Sequence, residues 1–284
     1  MNYANCNLCP RQCGVDRTAG EKGYCQAPAT ALVAKTMLHQ WEEPVLAKKY
    51  SGAIFFGGCT LGCRYCQNAA ISRTLTGTPM NGKQLRAEME NLLGQGAENI
   101  DLVTPTQYLP TVVEALEQPL PVPVIYNCGG YERVEAVRAL KGKVDIFLPD
   151  LKYADNALAL TLSGAKDYFE VAGNALKEMV LQTGKLEFDG DILKKGVIVR
   201  HLILPGQVEN SLKVLDFLGE NFAPGEILVS LMRQYTPMPG LQPPFDRPIT
   251  DEEYEAVLSW MYLNNLQGLT QEQTAASENF IPDF

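Results

Sequence analysis

Three cysteines at the spacing C-x3-C-x2-C constrain the fold and chemistry of this chain more than any other feature. Cys59, Cys63 and Cys66 follow an apolar, strand-like run at residues 53–56 and a glycine pair at residues 57–58. Thiolates are soft ligands that suit iron–sulfur clusters and zinc, and a closed site of either kind takes four protein ligands. Three cysteines in one tight loop, with no fourth nearby, predict a cluster in which one iron stays open to a small molecule.

From residue 51 onward, short β-rich runs alternate with longer helical patterns. The predicted strands lie at residues 53–56, 100–103, 122–126, 144–148, 197–203 and 227–231. This alternation is the βα signature of a parallel sheet or barrel. Six such units are fewer than the eight of a complete TIM barrel.

Polar residues at the ends of the predicted strands are candidates for a ligand site, because ligands of parallel α/β folds bind at the carboxyl ends of the strands. These candidates are Asn68, Thr104, Asn127, Asp150, Lys152 and Arg200. Asp150 and Lys152 are two residues apart on an extended chain, so their side chains point to the same side. They either enter a ligand site or form an ion pair at the end of the strand. Arg200 alternates with apolar neighbours and can face inward to clamp a carboxylate. Cys128 is either a reactive thiol or a small buried residue.

The first 50 residues carry a second group of cysteines, at positions 6, 9, 13 and 25. Glycines between them allow tight turns that bring Cys6, Cys9, Cys13 and Cys25 together. Such a group predicts a metal site, either a structural zinc knot that stabilises a segment too small for its own core or a second iron–sulfur cluster. Four reduced thiols without a metal are the remaining alternative. Further on, His39 is expected to be a packing residue, and the paired Glu42 and Glu43 are expected to be solvated.

Composition narrows the class of protein. Hydrophobic residues make up 46% of the 284 residues and the net charge is -9. An acidic chain of this kind is a poor partner for nucleic acid or for an anionic membrane surface. No signal peptide and no bilayer-spanning run is visible, so we expect a cytoplasmic protein. In a reducing compartment eight cysteines suit metal binding better than disulfides.

The three-cysteine loop, with Tyr65 before its last cysteine, resembles that of the radical S-adenosylmethionine (radical SAM) superfamily. The resemblance implies that Cys59, Cys63 and Cys66 hold a [4Fe-4S] cluster whose fourth iron binds S-adenosylmethionine. An electron from the cluster then cleaves the sulfonium and yields a 5′-deoxyadenosyl radical. It also implies a partial (β/α)6 TIM-like barrel, here with an N-terminal cysteine-rich extension and a C-terminal helical segment. The Gly-Gly-Glu type segment that many members carry after the second strand is lacking, and Thr104 or Thr106 is the candidate in its place.

Further segments resemble the relatives of pyruvate formate-lyase activating enzyme. They are residues 6–13, 42–44, 57–68, 148–152, 200–206 and 230–237. This resemblance implies that Asp150, Lys152 and Arg200 contact S-adenosylmethionine. It also implies that flavodoxin or ferredoxin supplies the electron, and that the hydrogen is taken from a glycine of a partner enzyme.

Three domain segments and three functions are predicted. Residues 1–50 form the cysteine-rich extension, residues 51–235 the barrel, and residues 236–284 a covering segment with a helix that begins at a capping box, Thr250 to Glu253. The leading function is a radical SAM oxidoreductase or lyase that acts on a protein glycine. The second is radical SAM modification of another peptide or a small molecule. The third, of a different class, is a zinc-stabilised binding protein without catalysis.

Overall fold

The computed structural model describes residues 1–40 and 42–271. The strands in these ranges are β1 (Ala31–His39), β2 (Ser51–Phe56), β3 (Thr78–Met80), β4 (Ile100–Val103), β5 (Val124–Cys128), β6 (Ile146–Pro149), β7 (Glu187–Asp189), β8 (Ile192–Leu202), β9 (Leu228–Met232) and β10 (Gly268–Thr270). The α-helices are α1 (Ala69–Ser72), α2 (Gly82–Gly94), α3 (Leu109–Ala115), α4 (Val134–Ala139), α5 (Asn156–Ser163), α6 (Tyr168–Thr183), α7 (Val208–Asn221) and α8 (Asp251–Leu263).

A largely parallel sheet forms the centre of the fold, in the order β10-β9-β8-β6-β5-β4-β2-β1-β3. The strands from β2 through β4, β5, β6 and β8 to β9 pair in parallel. They correspond to the six predicted strands, and the predicted partial barrel is confirmed. Strand β1 runs antiparallel to β2 and extends the sheet on one side.

Strand β5 begins two residues later than the sequence predicts. Pro121 and Pro123 lie where the strand was expected to begin, and proline has no amide hydrogen to give to a sheet ladder. Asn127 and Cys128 consequently end the strand instead of following it.

Strand alternation separates two apolar layers. Ile54, Leu102, Tyr126 and Phe147 belong to the large cluster beneath the helices. The opposite faces of the strands form the interior of the barrel, where Ile125, Ile146 and Ile198 pack against Leu46.

The connection between β1 and β2 closes one end of this interior. Leu46 is almost fully buried, its carbonyl accepts a hydrogen bond from Asn99 Nδ2 at 2.8 Å, and the Val45 carbonyl accepts one from the Leu193 amide. Asn99 lies just before β4, so the closed end is the one at which the parallel strands begin. The opposite end of the barrel, at which the parallel strands finish, is left open for a ligand site.

The capping box at the start of α8 is confirmed, because Thr250 accepts from the Glu253 amide while the Glu253 side chain accepts from the Thr250 amide. Across residues 1–40 and 42–271, we find no helix with the combined length and apolarity that crossing a membrane requires.

His201 makes the stability of the fold depend on pH. Its Nδ1 lies 2.6 Å from the Leu151 carbonyl and its Nε2 lies 2.8 Å from Ser211 Oγ, so Nδ1 carries the hydrogen of a neutral ring. Burial lowers the pKa of His201 to about 4. Because the unfolded chain binds this proton near pH 6.5, the contribution of the neutral ring is complete above that pH. It is lost as the pH falls toward 4, by about 3 kcal/mol.

We therefore expect the free energy of unfolding, measured by urea denaturation between pH 7 and 4, to fall less in a His201→Gln variant than in the wild type. His39→Gln serves as the control, since within the described ranges His39 has no comparable pair of ring hydrogen bonds, and burial lowers its pKa. Equal pH slopes for the wild type and His201→Gln would contradict the assignment.

Candidate active site

A cavity of ≈ 380 Å³ opens where the parallel strands end. The cysteine loop lies on one side of it, and the ends of β5, β6 and β8 contribute Asn127, Asp150 and Arg200. Every residue that the sequence predicts for the first metal site and its cofactor lines this one cavity: Cys59, Cys63, Tyr65, Cys66, Asn68, Thr104, Asn127, Asp150, Lys152 and Arg200. Their roles as ligands stay predictions.

Each sulfur of the cysteine loop has a hydrogen-bonding neighbour. The Leu61 amide donates to Cys59 Sγ at 3.4 Å, Ser163 Oγ donates to Cys63 Sγ at 2.9 Å, and Ser72 Oγ lies 3.3 Å from Cys66 Sγ. Thiolates that coordinate iron retain lone pairs for such donors, so the loop fits a cluster ligand set.

A chain of buried hydroxyls leads to Cys63. Tyr65 and Tyr153 hydroxyls are 2.6 Å apart, and Tyr153 lies 2.7 Å from Ser163 Oγ. Because Ser163 gives its hydrogen to the sulfur, it accepts from Tyr153, which in turn accepts from Tyr65. Burial raises the pKa of the Cys63 thiol to about 12, and the nearby Lys152 opposes that rise. Tyr65, the residue before the last cysteine, thus helps to orient the Ser163 hydroxyl toward the Cys63 sulfur. Because burial disfavours the thiolate, this sulfur needs a nearby positive charge to ionise.

A buried charge network lies beside the loop. Arg200 Nε donates to Asp150 Oδ1 at 2.9 Å, and Arg200 Nη2 donates to Asn127 Oδ1 at 2.5 Å. Lys152 Nζ donates to the other oxygen of Asp150. Burial alone would raise the pKa of Asp150, but Arg200 and Lys152 hold it below its ordinary value. The network therefore presents two cations and one shared carboxylate to whatever binds in the cavity, a set that suits a ligand with both an acidic and a basic group.

Glu42 and Glu43 lie in this cavity, and the expectation that they are solvated is wrong. Both line its wall, and Glu42 Oε2 is 3.9 Å from Arg200 Nη1. The segment that holds them crosses the closed end of the barrel, a tertiary placement that no local pattern indicates. The only signal in the sequence was the Glu-Glu-Pro segment of the family resemblance.

His39 and Cys128 have surroundings that do not suggest reactive groups. His39 is buried beside Glu42, at 4.0 Å, as expected of a packing residue. Cys128 is 2% exposed, and burial followed by the neighbouring Glu132 raises its pKa well above the ordinary value. A reactive cysteine needs the opposite, a stabilised thiolate.

The N-terminal cysteines lie against the barrel end that carries the cysteine loop. Arg11 Nε donates to the Thr60 carbonyl at 3.1 Å and Tyr24 Oη donates to the Leu61 carbonyl at 2.8 Å. Cys6 and Cys9 are buried, Cys25 is half-buried and Cys13 is exposed. Burial raises the pKa of Cys9 to about 12, and the nearby Cys25 and Cys13 add to it.

In the part of the chain that the structure describes, no three or more His, Cys, Asp or Glu side chains are arranged to hold a single metal ion. An iron–sulfur cluster binds each cysteine through a different iron, so its sulfurs stand farther apart than the ligands of one ion. The second metal site stays a prediction.

Gly130 positions the backbone of Asp150. Its φ is +77°, and a Cβ at this position would lie 2.0 Å from the Asp150 carbonyl oxygen. We expect Gly130→Ala to cost about 1–3 kcal/mol more than backbone strain alone, because the added methyl must displace the main chain of β6. The matched control is Gly142→Ala, at φ +72° with nothing within 4 Å. Urea denaturation of both variants measures the difference, and equal losses would show that Gly130 is not a packing constraint.

Comparison with known proteins identifies a relative and a fold. No family model matches the chain. The uncharacterized protein MJ0674 of Methanocaldococcus jannaschii is 30% identical over 277 residues, which cover 93% of this chain and 76% of that protein.

Solved structures of radical SAM enzymes share the fold. SuiB of Streptococcus suis bound to S-adenosylmethionine aligns with a TM-score of 0.51 at 15% identity, over 78% of this chain and 50% of SuiB. Methylornithine synthase PylB aligns with a TM-score of 0.51 at 16% identity, over 77% of this chain and 70% of PylB. The chain thus spans about half the length of SuiB.

Proposed function

We propose that this chain, which belongs to the family of the MJ0674 protein and has the fold of the radical SAM enzymes, is itself a radical SAM enzyme. In this proposal it binds a [4Fe-4S] cluster at Cys59, Cys63 and Cys66, cleaves S-adenosylmethionine reductively, and abstracts a hydrogen atom from a substrate. The observation that carries the proposal is the opening of the three-cysteine loop into the same cavity as Asp150, Lys152 and Arg200.

The side chains divide the binding of S-adenosylmethionine between them. The ligand has a carboxylate and an ammonium group. Lys152 and Arg200 would provide donors for the carboxylate, and Asp150, which keeps both cations in place, would offer an acceptor to the amino group. Thr104, Asn68 and Asn127 supply neutral hydrogen-bonding groups along the same wall.

When bound, the reduced cluster supplies the electron that breaks the sulfonium bond. The chain's part is to hold the ligand in one orientation and to keep water away from the reaction. Burial of Cys63 and of the Tyr65–Tyr153 pair closes the cavity wall behind the cysteine loop.

The substrate class and the reductant are further parts of the proposal. The resemblance to activating enzymes favours a glycine of a partner protein as the substrate, with flavodoxin or ferredoxin as the electron donor. A peptide substrate is the second candidate, because SuiB, which shares the fold with a TM-score of 0.51 at 14% identity, was crystallised with its precursor peptide SuiA. Residues 1–50 are proposed to carry a second zinc or iron–sulfur site beside the barrel of residues 51–235. Residues 236–271 are proposed to cover the barrel, and the rest of the predicted C-terminal segment, residues 272–284, lies outside the described residues.

The test is anaerobic. The protein is reconstituted with iron and sulfide and reduced with dithionite, and S-adenosylmethionine is added. We expect the ligand to change the electron paramagnetic resonance spectrum of the reduced cluster, and 5′-deoxyadenosine to form. The spectral change needs no substrate. A colourless protein that binds zinc alone, or a full reducible cluster whose spectrum S-adenosylmethionine leaves unchanged, would overturn the proposal in favour of a binding protein.

A further inference from the structure

We propose that the substrate of this site presents a positively charged nitrogen group, an ammonium or a guanidinium, to an acidic floor formed by Glu42, Glu43 and Asp101. This inference rests on the proposed function and adds the substrate class to it.

The acidic floor lies on the side of the cavity that the β1–β2 connection covers. Glu42 and Glu43 belong to the connection that seals the barrel where the parallel strands begin, and Leu46 anchors that connection in the interior. Asp101 lies on β4, two residues before the cavity-lining residue Val103. It is buried just beneath that lining, where it accepts a hydrogen bond from the lining residue Asn127. Since side chains two apart on a strand share a face, Asp101 points into the barrel interior as well.

The charges on this side of the cavity do not balance. Asp150 is the carboxylate that pairs directly with both Lys152 and Arg200. Glu42 lies 3.9 Å from the outer edge of Arg200, and Ser230 and Arg200 lower the pKa of Glu43 against the rise that burial causes. When all are ionised, the floor and Asp150 exceed the two cations by two negative charges. An added cation would relieve this excess, whereas an anionic substrate would increase it.

Asp101 supplies an independent observation that points to a ligand. Its side chain is fully buried, and Oδ2 accepts a hydrogen bond from Asn127 Nδ2 at 3.2 Å. Its other oxygen, Oδ1, has no hydrogen-bond partner among the described residues. A buried acceptor without a partner costs roughly 1–3 kcal/mol. A substrate N–H donor at this place would remove that cost and compensate the carboxylate at the same time.

The electrostatic surroundings agree with this geometry. Burial raises the pKa of Glu42, Glu43 and Asp101, and the neighbouring carboxylates add to the rise. The ionised forms of these three carboxyl groups are therefore destabilised unless a positive charge lies beside them. Arg200 is the one cation that opposes the rise for all three, with Ser230 also opposing it at Glu43 and Asn127 at Asp101, and Arg200 is already committed to Asp150.

S-adenosylmethionine does not account for the floor. In the proposed function its carboxylate and amino group are held by Asp150, Lys152 and Arg200, and with its sulfonium the ligand adds only one net positive charge against the excess of two negative charges. The floor adjoins this network through Arg200 and Asn127, on the side that faces the β1–β2 connection, and we place the cationic group of the substrate there. The carrier of the cationic group is either a free amine or the side chain of a peptide, and the test separates the two.

The test uses isothermal titration calorimetry on the anaerobic, reconstituted full chain with S-adenosylmethionine present. For the free-ligand arm the probes are n-butylammonium and butylguanidinium against neutral n-butanol. For the peptide arm they are N-acetyl-lysine amide against N-acetyl-norleucine amide and N-acetyl-glutamate amide. We expect the cationic member of at least one arm to bind about tenfold or more tightly than its neutral partner. The arm with the greater preference identifies the carrier.

Isosteric variants connect the preference to the floor. The double variant Glu42→Gln/Glu43→Gln and the single variant Asp101→Asn should each reduce the preference, while Glu117→Gln, at an exposed position of the chain, should retain it. Circular dichroism checks that every variant is folded. The inference is overturned if no cation binds to the wild type, if neutral or anionic probes bind as well, or if the double variant keeps the preference.

Failure of the two proposals can be told apart in the same preparation. A cation preference without any effect of S-adenosylmethionine on the cluster spectrum would support the floor and count against the enzymatic function. Cleavage of S-adenosylmethionine without a cation preference would do the reverse.

Discussion

Replacing Cys63 by alanine should abolish cleavage of S-adenosylmethionine. Cys63 is the most buried sulfur of the three in the cysteine loop, and Ser163 donates to it at 2.9 Å. Loss of an outer-shell partner of a metal site typically costs about 10–100-fold, and loss of a ligand should cost well beyond that. We expect formation of 5′-deoxyadenosine by the reconstituted Cys63→Ala variant to fall to the background level of a mixture without protein.

The matched control is Cys128→Ala. Cys128 lines the same cavity and is also buried, at 2% exposed against 8% for Cys63, but it lies outside the loop and has no role in the proposed ligand set. This variant should keep its iron content and the bulk of the cleavage activity. Retained cleavage in Cys63→Ala, or equal loss in both variants, would overturn the cluster assignment.

Replacing Arg200 by methionine should produce the largest change in stability that we expect from a single substitution. Arg200 donates to Asp150 and Asn127 and lies beside Glu42. Its removal leaves buried carboxylates with Lys152 as their remaining partner, and breaking a buried pair in this way costs about 3–5 kcal/mol. Urea denaturation at pH 7 measures this loss, and the affinity for S-adenosylmethionine should fall with it.

Arg138→Met is the control for Arg200→Met. Arg138 also pairs with a carboxylate, that of Glu178 at 3.1 Å, but 62% of its side chain is exposed. Exposed pairs contribute only about 0–1 kcal/mol, so this variant should remain close to the wild type. If Arg200→Met proves as stable as Arg138→Met, the carboxylates do not depend on Arg200, and the charge network is not what holds the ends of β5, β6 and β8 together.

Local patterns in the sequence were sufficient to predict the barrel. Six apolar runs separated by helical patterns predicted the six parallel strands, and the fold confirms both the strands and the resemblance to radical SAM enzymes. The placement of Asp150, Lys152 and Arg200 could be predicted for the same reason. They stand at strand ends, and a period of two residues decides which side chains face inward.

The boundaries of elements were less certain than their existence. The shift of β5 past Pro123 moved Asn127 and Cys128 into the strand. Spacing alone also left the N-terminal cysteines undecided between zinc, an iron–sulfur cluster and free thiols. Their residue types suit all three, and the described side chains are not arranged around a single ion.

Sequence patterns predicted the cysteine loop, the order of the strands along the chain and the inward face of each strand, because these features depend on neighbours a few residues apart. The floor of the cavity depends instead on tertiary contacts. Glu42 and Glu43 look like solvated residues along the chain, yet the connection that carries them crosses the barrel and places them near Asp101 and Arg200. Contacts between residues so far apart in sequence arise from how the sheet closes, and the charge of the cavity follows from that closure.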